Sequence, residues 1–181
     1  MDNLIYLDVG FIAGKYEEIK CVPPETQFSK TEGGKADIGF SFAKAGVHTQ
    51  ETLIFKKSSI GMLKELLPVL ENNYSYSDLS EFKNYSGTRI LWVEGVMSIQ
   101  FWVDPKVENS RYVYYGIKVG DKDLAMISSP IYFSSGFSEV VKASDALVGY
   151  VGIRVRALVR LLWHVEASKE YVSVPYIVIE K

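Results

Sequence analysis

The chain carries one cysteine, Cys21, and two histidines, His48 and His164, among its 181 residues. One cysteine excludes an internal disulfide framework and a four-cysteine zinc site. Cys21 reads as a partly buried reduced thiol, since a free cysteine behaves as a small hydrophobe. As a nucleophile it would need a nearby base, and only the two histidines are there to serve. They stand far apart in sequence, with neither His-x-x-x-His nor Cys-x-x-Cys spacing, so no metal motif is present. His164, beside Trp163 near the end of a strand pattern, reads as a hydrogen-bonded residue rather than a ligand. No Gly-x-Ser-x-Gly occurs, and the serine pairs at 58–59, 128–129 and 134–135 fit caps and turns.

An excess of one charge is also lacking. Twenty Lys and Arg stand against 22 Asp and Glu, a net charge near −2. A protein that coats itself with nucleic acid or anionic lipid is basic as a whole; here a polyanion would find only a local patch. No long apolar run is present either. The most apolar stretch, "ALVGYVGIRVRALVRLLWHV", is broken by Arg154, Arg156 and Arg160, each costing about 2.5–3.5 kcal/mol at the centre of a bilayer. The opening "MDNLIYLDVG" has no basic start, apolar core or small-residue cleavage site, and reads as a strand instead of a signal peptide. These features lead to the expectation of a soluble cytoplasmic protein without a membrane partner.

What is present is the composition of a folded chain, 48% hydrophobic and 13% aromatic. Its length suits one domain with a substantial core. Leu4–Val9 predicts a first strand, and Phe11, Ile12, Tyr16 and Ile19 predict a short helix that Pro23-Pro24 stops. Lys30–Lys35 is polar and glycine-rich and reads as a loop. From Ala36 onward Ile38, Phe40 and Phe42 alternate with Asp37, Gly39 and Ser41, which predicts a strand. "SSIGMLKELLPVLENN" predicts the principal helix, about Ser59–Asn73, with Ile60, Leu63, Leu67 and Leu70 along one stripe and Pro68 as a kink or the start of a second turn of helix. "SYSDLSEFKNYSG" suggests a short capped helix. Beyond Gly87 the chain turns to aromatic and β-branched strands, with a hairpin at Gly120-Asp121 and a closing pair, "GYVGIRVRALVRLLWHVE" and "EYVSVPYIVIE". The expected fold is one α+β domain over residues 1–181, mixed through residue 86 and mainly antiparallel sheet over 87–181, with the principal helix on one face.

Three candidate sites follow. "QFSKTEGGKADIGFSFAKAG" joins glycine, lysine and threonine as phosphate loops do. It fails as one, because Ser29 stands where the first glycine belongs and Gly33-Gly34-Lys35 leads into a strand instead of a helix. Asp8 at the end of the first strand and Glu17 and Glu18 on the following helix could share a divalent metal for acid–base chemistry; no other metal or cofactor is expected. The third candidate is a row of arginines. On a strand, Val151, Ile153, Val155, Ala157, Val159, Leu161 and Trp163 face one way, while Arg154, Arg156, Arg160 and His164 face the other. Arg154 and Arg156 are then roughly 6.5–7 Å apart, a spacing that suits two oxyanions, with Lys169 in the hairpin beyond. The competing account has Glu166, Glu170 or Glu180 neutralise the row.

"LIYLDVGFIAGKYEEI", the glycine-rich "GGKADIGFSFAKAG" and the closing "VGYVGIRVRALVRL" and "VSVPYIVIEK" together resemble a bacterial family of unknown function whose members open on an aromatic-Tyr-Leu-Asp strand. That resemblance implies no activity, cofactor or catalytic residue. The residues themselves point to a non-enzymatic binding or regulatory protein acting through a protein partner or self-association. The alternative is a metal-dependent hydrolase or nuclease, with Asp8, Glu17 and Glu18 on the metal and Arg154 or Arg156 on a phosphate.

Overall fold

The computed structural model describes residues 3–21, 59–83, 85–101, 113–134, 137, 149, 152–165 and 170–181, and the backbone alone of 26–31, 40–42, 50–55, 102 and 112. Strand β1 (Leu4–Leu7) leads into helix α1 (Val9–Lys20). Strands β2 (Thr26–Thr31), β3 (Phe40–Phe42) and β4 (Gln50–Phe55) precede helix α2 (Ser59–Asn73). After a 3₁₀ turn at Ser80–Phe82 come β5 (Ser86–Trp102), β6 (Tyr112–Val119) and β7 (Lys122–Met126). A second 3₁₀ turn at Pro130–Tyr132 precedes β8 (Gly152–Val165) and β9 (Glu170–Glu180). The class is α+β with a mainly antiparallel sheet, as the residue pattern predicts. The chain divides into two compact units, Val9–Pro68 and Met1–Asp8 with Val69–Lys181.

The smaller unit holds a three-stranded antiparallel sheet in the order β2-β4-β3. Two of these strands are corrections to the sequence reading. Lys30 and Thr31, expected in a loop, close β2 opposite Glu51 and Gln50, and β4 was not foreseen at all. Both are short, and a short strand shows too few alternations to announce itself; the pairing between them supplies what their own pattern does not. The glycine pair of the supposed phosphate loop, Lys35, and His48 lie outside the described residues.

Helix α1 buries Val9 and Ile12. Cys21 follows it in a left-handed conformation (φ 52°), its N–H closing on the Glu17 carbonyl at 2.9 Å. The thiol is exposed, not partly buried, because this helix-ending residue turns away from the buried stripe. Helix α2 runs through Pro68 and buries Met62, Leu63, Leu66 and Leu70, while Ile60 is 46% exposed. Apolar residues at 60, 62, 63, 66, 67 and 70 span an arc wider than the buried face, so periodicity alone misplaced its centre.

In the larger unit β5 pairs antiparallel with both β6 and β8, and β6 with β7. β9 pairs antiparallel with β8 on one edge and parallel with β7 on the other. The five strands therefore close on themselves in the order β5-β6-β7-β9-β8, a five-stranded Greek-key barrel, the architecture that OB domains also use. β1 continues the β9 edge past β7, pairing Leu4 with Ile179 and Leu7 with Ile177. Pro175, which has no N–H to donate, falls in the gap between Ser173, paired to β7, and Ile177, paired to β1.

Inward residues alternate along every strand: Leu91, Val93, Met97 and Ile99 from β5, Val155, Ala157, Val159 and Leu161 from β8, with Ile117, Leu124, Tyr171 and Val178. The core thus draws on β8 and β9 almost as much as on β5 and β6. Leu79 and Phe82 join it from the 3₁₀ turn, which is all that forms of the expected capped helix. Asp78 supplies the reason, holding the Ser80 N–H at 2.9 Å and its hydroxyl at 2.6 Å in a local turn. The β6–β7 hairpin turns on Gly120 (φ 61°) and Asp121, with Lys122 already paired to Val119. The predicted alternation of β8 holds from Val155 to Leu161 but not at Trp163, which is 45% exposed. The β8–β9 register slips between Leu161 and Trp163, and a one-residue slip sends a side chain to the other face.

Candidate functional site

The outer face of β8 was expected to be a polar row of arginines, and it continues onto its neighbours β5 and β9. It is instead crossed by a second apolar row, Trp92–Leu158–Ile177, paired across the three strands, each fully buried. The last turn of α2, beyond Pro68, lies on it: the indole Nε1 of Trp92 donates to the Leu70 carbonyl at 3.3 Å. The chain after α2 also runs beside β5, with Trp92 N–H bonded to Ser75 O and Ser77 N–H to Trp92 O, both at 2.9 Å. The Tyr76 ring stacks on the indole with centroids 5.9 Å apart.

The arginine row is divided by this arrangement. Arg156 pairs with Glu71 of α2 and lies 5.8 Å from the centre of the Trp92 ring. Burial opposes its charge, but hydrogen bonds to Tyr76 and Glu71 outweigh that and hold the guanidinium more firmly protonated. Arg160 lies 5.6 Å over the Tyr176 ring. Arg154 is exposed at a shallow recess of about 500 Å³ with Glu94 and Lys181, and Glu94 is held by Lys181 at 2.5 Å. The acid that neutralises Arg156 comes from a helix, not from the adjoining strand residues proposed from sequence. Glu170 instead accepts from Tyr114, Glu180 is exposed, and Glu166 and Lys169 lie outside the described residues. Arg156→Ala is expected to lower the melting temperature by about 2–4 °C, since a partly exposed ion pair contributes about 1 kcal/mol. Arg154→Ala is expected to leave it unchanged, and a thermal melt of each variant checks both.

Asp8 follows β1, its N–H bonded to the Tyr176 carbonyl at 2.8 Å. Glu17 and Glu18 are exposed on α1, Glu18 beside Lys15 at 2.6 Å. Among the described residues no group of three His, Cys, Asp or Glu side chains stands close enough to hold a metal ion. His164 packs on the Tyr171 ring at 4.7 Å.

A concavity larger than that recess lies elsewhere, at the end of the barrel where β5 finishes and β7 leaves the sheet. It is a cleft of about 590 Å³ lined by Ile99, Val113, Tyr114, Tyr115, Ala125, Met126, Ile127, Ser128, Pro130 and Phe133. Its walls are aromatic and aliphatic, and Ile127 at its margin is 56% exposed. Phe133 is fixed there by β1: it bridges Tyr6, packs edge-on to that ring at 5.0 Å and lies 4.9 Å from the ring of Tyr115. Tyr6 is itself pinned, its hydroxyl accepting from the Ser129 N–H at 3.3 Å, with burial pushing its pKa up to about 12. The Tyr115 hydroxyl is buried with no hydrogen-bond partner among the described residues, and burial raises its pKa.

Comparisons with protein families, curated proteins and solved structures returned no match. What the site does rests on its own chemistry. Sequence reasoning missed the cleft, though one signal was available. Leu124 and Met126 point inward, and Ile127 then breaks the alternation just before Ser128-Ser129-Pro130. An apolar residue out of phase at a strand end has left the core. Among the described residues no helix is long and apolar enough to cross a membrane.

Proposed function

We propose that this chain is a non-enzymatic binding or regulatory protein, which captures a protein partner or a second copy of itself at the cleft on the barrel end. The observation that carries this is the apolar lining of a 590 Å³ cleft with an exposed isoleucine at its lip. Exposed apolar surface around a concavity marks interaction sites, because leaving it in water is unfavourable in the free protein and its burial drives association. Ile131, 45% exposed on the turn beyond Pro130, extends the apolar surface outside the cleft. The arginine row supports a different role, holding the end of α2 on the sheet through Arg156.

Prodan, an uncharged dye whose emission shifts blue in apolar surroundings, tests the cleft. Saturable binding by the wild type is expected. Ile127→Glu should weaken it at least about tenfold, because a carboxylate at an apolar wall resists desolvation. Arg154→Ala should leave it unchanged. Equal dye binding by wild type and Ile127→Glu would remove the cleft from consideration.

A further inference from the structure

The rim of the cleft is not uniformly apolar. Tyr114, one of its walls, stands on the outer face of β6, and its hydroxyl reaches Glu170 Oε1 at 3.5 Å. Glu170 on β9 is the direct register partner of Asp123 on β7, so two carboxylates sit side by side on one sheet face. Asp123 is two residues from Ala125, which lines the cleft, a separation of about 6.6 Å along a strand. Neither acid forms an ion pair among the described residues. Lys122 is bound to Asp121, and Lys118, across the ladder from Asp123, is exposed. The Glu170 carboxyl has a raised pKa, first from burial and then from Asp123 beside it. Two like charges held adjacent and partly desolvated destabilise the free protein, and a cation placed against them relieves that.

Resting on the reading of the cleft as a binding site, we infer that its partner is a polypeptide segment carrying a lysine or arginine one or two residues from a large apolar side chain. The apolar side chain fills the cleft against Met126, Ile127 and Phe133. The cation lies across the Tyr114 ring on Asp123 and Glu170. In an extended segment, residues two apart share a face and stand about 6.6–7 Å apart, which matches the step from Ala125 to Asp123. A polypeptide fits better than a small molecule because small-molecule sites enclose most of their ligand, whereas here the lip residue Ile127 is more than half exposed. The same acids oppose a nucleic-acid strand on this face, where phosphates would meet two carboxylates.

Panning a phage-displayed random heptapeptide library on the full chain tests this. The strongest clones are then made as labelled peptides and measured by fluorescence anisotropy. Clones are expected to carry Lys or Arg within two residues of Leu, Ile, Phe or Trp. Their affinity should fall at least about tenfold in Asp123→Asn/Glu170→Gln and in Ile127→Glu, and weaken with salt. Thermal melts confirm that the variants are folded. Apolar clones bound equally by wild type and the Asp123→Asn/Glu170→Gln protein, but not by Ile127→Glu, would overturn the basic partner and leave the cleft standing. Acidic clones lost on Arg154→Ala would place binding at the arginine recess instead. No enrichment, or binding indifferent to Ile127→Glu, would remove both readings. Light scattering that finds a dimer dissociated by Ile127→Glu would assign the cleft to a second copy and likewise overturn the inference.

Discussion

Replacing Gly95 by alanine is expected to lower the melting temperature by about 6–12 °C, the equivalent of about 3 kcal/mol. Gly95 sits midway along β5, between Val93 and Met97, whose side chains are buried inside the barrel. A Cβ there would overlap the Lys118 carbonyl oxygen of β6 and come within 2.8 Å of the Ile117 Cγ2. The carbonyl is backbone, so no rotamer change makes room; β5 and β6 would have to separate just where their ladder begins at Val96–Lys118. This close approach is what lets one long strand pair with β6 over its second half and with β8 over most of its length. The control is Gly14 on α1, where a Cβ would meet nothing within 4 Å. Gly14→Ala should raise the melting temperature slightly, because alanine is favoured over glycine in a helix interior by up to about 1 kcal/mol. Calorimetry on the two variants reads both signs, and a Gly95→Ala protein as stable as wild type would contradict the close approach of β5 and β6 at this residue.

Trp92→Ala is expected to cost about 3–5 kcal/mol, or roughly 6–20 °C. The indole is fully buried outside the barrel core, and its removal leaves a cavity between Leu158 and the end of α2. It also disturbs three partners at once: the Leu70 carbonyl keeps the Tyr74 N–H but loses its second donor, Tyr76 loses its stacking surface, and Arg156 its ring. Trp92→Phe keeps a ring but not the N–H, and should fall between the two. The loss should exceed the sum of Tyr76→Ala and Arg156→Ala, since neither of those opens the cavity. Chemical denaturation of all four proteins decides it, and a Trp92→Ala protein losing no more than Arg156→Ala would show that the α2 contact is incidental.

Much of the larger unit is legible in the sequence alone. β9 begins and ends where its residues alternate, the β6–β7 turn falls on Gly120-Asp121, and β8 shows a period of two from Val155 to Leu161. These elements are long, or bounded by a glycine whose conformation admits few alternatives, so local preference and final structure agree. Weaker signals misled in particular ways. The α2 stripe took in Ile60 and Leu67 where Met62 and Leu66 join Leu63 and Leu70 on the buried face, because the helix has more apolar residues than that face uses. The polar aspect of β8 hid Leu158, a single apolar residue among arginines that proved to be a core contact. Arg156 could be seen to need an acid, yet Glu71 is 85 residues earlier, beyond anything strand periodicity can pair.

By itself, then, the order of residues determined which segments of the larger unit become strands and which helix precedes them, because those choices rest on interactions within a few residues. It also determined that the charges nearly balance, which confines any ionic recognition to local patches. Tertiary structure decided the rest. The union of β8 and β9 with β5 and β7 into a closed barrel depends on edges meeting across more than 40 residues, and an edge carries no mark of its partner. Closure in turn settled which faces are buried, turning the arginine strand into a clamp for α2. It also set the apolar rim of Met126, Ile127 and Phe133 beside the paired carboxylates of Asp123 and Glu170. That neighbourhood comes from the parallel register of β7 and β9, and no local pattern encodes it, because the free energy that selects it is the burial of the whole core.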